Sequence, residues 1–195
     1  KAGDISIDAT GSITLKELSQ ISNSTSGIGD AGTIKIKVAD NISIDGRVQV
    51  PDDFTVGVRP KDIYSGIAST VRPEGQGNAG VVDISTNNLF ITNGGQIVAD
   101  TLGEGNAGTV KINANENISV AGDSNGSFIG ISSVVGQDKQ NTENNGSDTE
   151  VEVPSKRNAG TVEINTKHLS LNNVAQVTTS NFATGNAGTV KINAN

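Results

Sequence analysis

The chain has 195 residues, enough for a sizeable core, yet it contains no Cys, Met or Trp and only 3% aromatic residues. The absence of Cys excludes a disulfide framework and thiolate metal sites, and the net charge of −7 disfavours nucleic acid and anionic membrane surfaces as partners. No apolar run approaches the roughly 20 residues of a membrane-spanning helix.

An Ala-Gly step that is followed by a segment of alternating apolar and polar residues occurs six times. The six glycines are at positions 3, 32, 80, 108, 160 and 188, so short and long repeats alternate. Recurrence of one segment at such spacings is typical of solenoid proteins. We therefore expect an insertion in every second repeat. The chain contains no Met and both of its ends fall within repeats, so we also expect it to be part of a longer protein.

Three short strands are predicted in each repeat. Thr33–Lys37 exemplifies the first, Ile42–Ile44 the second and Gln96–Val98 the third. Such short strands bury their apolar faces only if equivalent strands stack in register, about 4.8 Å apart. The predicted fold is therefore all-β, a parallel β-helix (β-solenoid) with three short strands per coil and about five coils plus a partial one. The crossover rule for parallel strands favours right-handed winding.

Stacking in register predicts columns of equivalent residues. The first strands place six residues in one internal column, namely Ile7, Ile36, Ile84, Ile112, Ile164 and Ile192. The second strands do the same for Leu15, Ile44, Ile91, Val120 and Leu171. The outward column of the first strand is Ser6, Lys35, Asp83, Lys111, Glu163 and Lys191, in which charge alternates in sign after the first position. Alternation of this kind avoids like charges one strand apart.

A turn residue precedes each Ala-Gly step from the second copy onwards. It is Asp30 in that copy and then Asn78, Asn106, Asn158 and Asn186. Asn and Asp are favoured in turns, and stacked Asn side chains form hydrogen-bonded ladders. We expect these residues to form such a ladder at one corner of the solenoid, where the small Ala and Gly permit a tight turn.

The extra residues of the long repeats form two predicted insertions. The first, residues 47–64, contains the turn-type sequence at 51–53 and is expected to be a protruding β-hairpin. The second, about residues 136–157, is rich in Asn, Asp, Glu, Gly and Ser and is expected to be a flexible loop. Phe54, Arg59, Tyr64 and Arg72 lie in or beside the first insertion and are the candidate adhesive patch, although Phe54 could instead pack the hairpin against the solenoid wall.

No catalytic, cofactor or metal site is predicted. Three G-x-G-x-x-G matches, beginning at Gly27, Gly75 and Gly103, precede strands rather than helices, so they are interpreted as solenoid corners. The acidic side chains at 148, 150 and 152 are interpreted as part of a solvated loop, although a weak calcium site is an alternative. The single histidine, His168, is expected at the surface.

The phrases Gly105–Ala114 and Thr92–Ile97 resemble the repeats of filamentous-haemagglutinin-like exoproteins, especially the large ones of cyanobacteria. The resemblance covers the chain apart from the two insertions. It implies a right-handed parallel β-helix, secreted or displayed on the surface of a Gram-negative bacterium. Export would use two-partner secretion, in which an outer-membrane transporter recognises a region that is not identifiable in this sequence. Members of this family are often associated with adhesion.

The leading hypothesis is a non-catalytic structural or adhesive shaft segment, whose partners would be cell-surface glycans or proteins. Two alternatives remain open. One is a carbohydrate-binding or carbohydrate-active β-helix module, which would require a groove with converging carboxylates and aromatic residues. The other is a self-assembling extracellular fibre subunit, in which the unpaired end strands associate end to end.

Overall fold

The computed structural model describes residues 1–46, 65–122, 130–136 and 156–195, and the described chain is all-β without helices. Consequently, no helix in these residues is long and apolar enough to cross a membrane. The strands in chain order are β1 (Ile5–Ala9), β2 (Ile13–Leu15), β3 (Gln20–Ser22), β4 (Thr33–Val38), β5 (Asn41–Asp45), β6 (Gly66–Ala68), β7 (Val81–Thr92), β8 (Gln96–Val98), β9 (Thr109–Ala121), β10 (Gly130–Ser132), β11 (Thr161–Thr166), β12 (His168–Asn172), β13 (Gln176–Thr178) and β14 (Thr189–Ala194).

The larger of two sheets contains nine parallel strands. Its main order is β1-β4-β7-β9-β11-β14, while β2 and β5 extend it beside β7 and β12 extends it beside β9. Each strand pairs with its equivalent in the neighbouring repeats, which is the architecture of a stacked repeat protein. The all-β, parallel and repetitive character expected from the sequence is confirmed.

In two repeats, one continuous strand replaces the expected separate first and second strands. β7 has 12 residues and β9 has 13, and each spans both positions without a break. The pairing continues through a register shift between Thr86 and Asn88. Beside this shift, Thr86 Oγ1 donates to the carbonyl oxygen of Asp40 in the preceding repeat at 3.0 Å. A β-bulge of this kind lets a strand bend without ending.

The smaller sheet contains five parallel strands in the order β13-β10-β8-β6-β3. Its register aligns Ile21, Ile67, Ile97, Ile131 and Val177. The strands at 20–22, 96–98 and 176–178 were expected. The strands of the long repeats, β6 and β10, were not identified in the sequence, because each begins with Gly where the other repeats have Gln.

The apolar core lies between the two sheets. Ile36, Ile84, Ile112 and Ile164 pair in consecutive strands and are at most 1% exposed. The second expected column, which runs from Leu15 to Leu171, has the predicted register as well. Complete burial of an Ile side chain contributes about 1.5–3 kcal/mol relative to leaving it exposed, so the columns account for much of the cohesion between repeats.

One corner of the solenoid is held by a chain of hydrogen bonds between amide side chains. The Oδ1 atom of each residue accepts from the backbone N–H of its equivalent in the next repeat, at 2.7–3.1 Å, for Asp30, Asn78, Asn106 and Asn158. The side-chain amides of Asn78, Asn106 and Asn158 also donate back to the preceding Oδ1 atom. Stacked Asn side chains therefore satisfy backbone donors at a turn, where strand pairing cannot do so.

The glycine that follows the Asn-Ala pair is required by close approach of consecutive repeats. A Cβ atom on Gly108 would collide with the carbonyl oxygen of Gly80, and one on Gly160 would collide with that of Gly108. The backbones stack too closely at this corner for any side chain. The Ala-Gly step that revealed the repeat is thus a packing requirement.

The register divides the extra residues of the second long repeat between two corners. Ile91 and Val120 are paired and 29 residues apart, whereas Ile97 and Ile131 are paired and 34 apart. Asn106 and Asn158 are hydrogen-bonded and 52 residues apart. Some of the extra residues therefore precede β10, and the rest follow it. The prediction from the sequence placed all of these extra residues after β10, at about 136–157.

The two boundaries of the expected 136–157 loop belong to the solenoid itself. The backbone N–H of Gly136 donates to the carbonyl oxygen of Thr101 at 2.8 Å. Arg157 is 4% exposed, and its guanidinium donates to the carbonyl oxygens of Gly103 and Gly136. The predicted hairpin at 47–64 and the interior of the predicted loop lie outside the described residues.

Candidate binding groove on the small sheet

A groove crosses the outer face of the small sheet and spans all five of its strands. Side chains alternate along each strand, so the residues flanking the core column Ile21, Ile67, Ile97, Ile131 and Val177 point outwards. The cavity measures about 390 Å³, which lies within the roughly 300–1,000 Å³ of ligand-binding clefts. It is lined by Gln20, Ser22, Ser24, Ala68, Thr70, Arg72, Pro73, Gln96, Val98, Asp100, Leu102, Ser132, Val134, Gln176, Thr178, Ser180 and Phe182.

Most of the lining is uncharged and polar. At one end of the groove the hydroxyl oxygens of Ser22 and Ser24 are 3.0 Å apart, and at the other end those of Thr178 and Ser180 are also 3.0 Å apart. These paired hydroxyls occupy equivalent positions in the first and last strands of the sheet. Each hydroxyl both donates and accepts hydrogen bonds, so both ends offer the same mixed chemistry to a ligand.

One margin of the groove is apolar and exposed. Phe182 is 60% exposed and Leu102 is 40% exposed, and both line the groove. Backbone hydrogen bonds from Leu102 to Val71 and from Phe182 to Val135 hold the margin against the sheet. An exposed aromatic ring beside polar side chains is a common feature of binding sites.

Asp100 is the one carboxylate that lines the groove among the described residues. It accepts a hydrogen bond from the backbone N–H of Val134 at 2.8 Å, and Ser132 Oγ lies 3.0 Å from both of its carboxylate oxygens. Burial raises the pKa of Asp100 to about 6, whereas the hydrogen bonds from Val134 and Ser132 act to lower it. The carboxyl group therefore changes protonation near neutral pH, unlike an exposed carboxylate.

Thr70 lies beside Asp100 in the neighbouring strand segment, as the hydrogen bond from Val71 N–H to the Asp100 carbonyl oxygen shows. Its hydroxyl oxygen is buried and has no hydrogen-bond partner within the described part of the chain. Buried hydroxyls are nearly always paired in folded proteins, so each exception requires an explanation. The centre of the groove thus combines an unpaired hydroxyl with a carboxyl group.

Of the four residues of the expected adhesive patch, Arg72 is exposed and lines the groove. Phe54, Arg59 and Tyr64 lie outside the described residues. The residues of the Asn and Ile columns are at the corner and in the core, away from the groove. His168 is exposed on β12, and no group of three or more His, Asp or Glu side chains in the described ranges is arranged to hold a metal ion.

The sequence did not single out Thr70, Asp100, Ser132 or Phe182. The available signal was the polar character of the third strand at 20–22 and 176–178, where Gln and Ser or Thr flank a single apolar residue. No family model matches the chain, and searches of curated proteins and of solved structures find no match.

Proposed function

We propose that this chain is a non-catalytic structural and adhesive segment of the shaft of a large bacterial exoprotein, either secreted or displayed at the cell surface. In this proposal the solenoid is a right-handed parallel β-helix with three strand positions per coil and about five coils plus a partial one. Export through an outer-membrane two-partner-secretion transporter would depend on a region outside these residues.

The observation that carries the proposal is the residue-by-residue register of the large sheet. The outward charges Lys35, Asp83, Lys111, Glu163 and Lys191 lie opposite one another in that order. Lys191 Nζ lies 3.2 Å from Glu163 Oε1, which is an ion pair between consecutive repeats. Each exposed pair contributes at most about 1 kcal/mol, so their value lies in selecting the register. A stack that selects its own register can be extended into a rigid shaft.

The groove favours a second candidate, a carbohydrate-binding module. Glycoside hydrolysis ordinarily uses two carboxyl groups, and among the described residues only Asp100 lines the groove. Binding without cleavage is therefore better supported than catalysis. Self-association of this chain also remains a prediction.

A screen against glycans and cell surfaces tests the adhesive function. The wild-type chain is compared with a trimmed variant in which short turns replace 47–64 and 137–155. The turn Thr92–Gly95, which joins β7 to β8, is a template for the first replacement, because Asp45 pairs with Thr92 and Gly66 pairs with Gln96. Circular dichroism establishes that the trimmed variant stays β-rich.

Binding by the wild type supports the adhesive function. Its loss on trimming identifies the insertions as the adhesive elements, and its retention assigns adhesion to the solenoid surface. Binding by neither version contradicts adhesion and leaves a structural spacer. Release of new reducing ends from any polysaccharide contradicts the non-catalytic assignment.

A further inference from the structure

We propose that the groove on the small sheet binds one extended chain of a neutral polysaccharide, with Thr70 and Asp100 hydrogen-bonding to hydroxyl groups of a central sugar. This inference rests on the proposed adhesive function and identifies the surface and the partner class through which the segment adheres. It places adhesion on the described solenoid rather than on the insertions.

The chemistry of the lining matches that of a sugar. Its hydroxyl and amide groups can donate and accept hydrogen bonds, as the hydroxyl groups of a sugar do. The exposed ring of Phe182, at one end of the groove, offers a flat apolar face to the C–H face of a sugar ring. A mixture of small polar groups and one exposed aromatic ring suits a ligand that is itself both polar and apolar.

The shape of the groove favours a linear polymer. It runs across five parallel strands, and four strand spacings of about 4.8 Å give a length of about 19 Å. The paired hydroxyls Ser22–Ser24 and Thr178–Ser180 repeat the same arrangement at its two ends. A chain of several sugars lying along the groove would contact equivalent positions in successive repeats.

A peptide strand is less suited to this surface. β6, β8 and β10 each pair with a neighbour on both sides, so their backbone groups are already hydrogen-bonded. Peptides that add to a sheet need an open edge with unpaired backbone groups. The groove offers side chains instead, and these are what recognise a ligand rich in hydroxyl groups.

A neutral polymer is favoured over an anionic one. Asp100 occupies the centre of the groove, and the whole chain carries a net charge of −7. Arg72 is the one basic residue in the described lining. Bringing a string of carboxylates or sulfates into this site would place like charges close together in a partly desolvated groove.

The unpaired hydroxyl of Thr70 marks the central subsite. In the proposed complex the Thr70 side chain rotates, so that its buried hydroxyl donates to a sugar hydroxyl, which in turn donates to the carboxylate of Asp100. Binding would thereby pair a buried group that folding leaves unpaired within the described chain. Ser132 and Val134 hold the carboxylate of Asp100 in place while it accepts this additional hydrogen bond.

Calorimetric titration with defined oligosaccharides tests the proposal. The neutral probes are six-sugar oligomers of glucose, xylose and mannose, and the acidic probe is a six-sugar oligomer of galacturonate. The variants are Thr70→Val, which keeps the side-chain shape and removes the hydroxyl, and Phe182→Ala, which removes the exposed ring. Thr14→Val is the matched control, because Thr14 is exposed on the large sheet.

At least one neutral probe should bind the wild type, and Thr70→Val and Phe182→Ala should each weaken binding by about three- to tenfold, the value of one hydrogen bond or stacking contact. Thr14→Val should leave binding unchanged. Thr70→Val should melt at the same temperature as the wild type or higher, because the lost hydroxyl has no partner in the described chain. A weakened affinity at unchanged stability therefore reports a ligand contact.

Three results would overturn the inference: no binding of any neutral probe, binding of the galacturonate oligomer alone, or unchanged affinity in both groove variants. The proposed function is judged separately by the cell-surface screen. If surface binding survives Thr70→Val and Phe182→Ala but is lost on trimming, the groove proposal fails and the adhesive function stands. If no version binds any surface or probe, both fail.

Discussion

The replacement Asp100→Asn should make the protein more stable at neutral pH. Burial raises the pKa of this carboxyl group from 3.8 to about 6, so keeping it ionised in the folded state costs free energy. Each pKa unit corresponds to about 1.4 kcal/mol, and the cost therefore reaches at most about 3 kcal/mol above pH 6. The Asn side-chain oxygen can still accept from Ser132 and Val134, so the variant removes the charge while retaining the hydrogen bonds.

The sign of the pH dependence follows from proton binding. Between the unfolded pKa and the folded pKa of Asp100, the folded protein holds more protons than the unfolded chain, so this residue's contribution to stability falls as pH rises through that window. Wild type and Asp100→Asn should therefore have similar stability at pH 4 and diverge by pH 7. Below the unfolded pKa both states are protonated and the difference disappears.

Equilibrium unfolding in urea, followed by circular dichroism between pH 4 and pH 8, measures the difference at each pH. Asp40→Asn is the control, because it removes a carboxylate from an exposed turn. A free-energy difference between Asp100→Asn and wild type that is the same at every pH would contradict a destabilising buried charge. Lower stability of the variant at pH 7 would contradict it as well.

Three further substitutions test the stacking. Ile112→Ala should destabilise the protein by about 2–5 kcal/mol in thermal or urea unfolding, because Ile112 is fully buried; a loss below 1 kcal/mol would contradict the column. Asn106→Asp should destabilise the protein by about 1–3 kcal/mol, because a carboxylate oxygen that repels Asn78 Oδ1 replaces the amide group that donates to it. Asp30→Asn should be tolerated, because Asp30 only accepts in the ladder; equal destabilisation by both substitutions would argue against a directional ladder. Lys111→Glu should lower the free energy of unfolding by about 0.5 kcal/mol at low salt, and high salt should restore it; a loss that does not depend on salt would exclude charge as the cause.

The repeats and their internal columns can be identified from the sequence. The Ala-Gly step marks a corner where Gly108 and its equivalents from Gly32 onwards cannot carry a side chain, so its recurrence is imposed by packing. Apolar residues at every second position identify which face of each strand is buried. Since equivalent residues pair across repeats, aligning the repeats by hand yields the same pairs as the folded sheet, including Ile84 with Ile112.

The positions at which the chain rejoins the stack after an insertion are visible only in the folded structure. β6 and β10 follow insertions and begin with Gly66 and Gly130, so local pattern does not distinguish them from turns. β7 and β9 stay paired through the register shift between Thr86 and Asn88, which becomes visible only in the pairing across repeats. The division of the second insertion between two corners likewise emerges only from pairing across repeats.

The candidate groove is also visible only in the folded structure. Arg72 was selected for its position beside an insertion, but Thr70, Asp100, Ser132 and Phe182 lie in different repeats and no local motif joins them. Their proximity depends on stacking, and the raised pKa of Asp100 depends on burial, which no single strand provides. A periodic sequence determines which residues stack because each column is a local pattern repeated, whereas a binding surface depends on how several columns lie side by side.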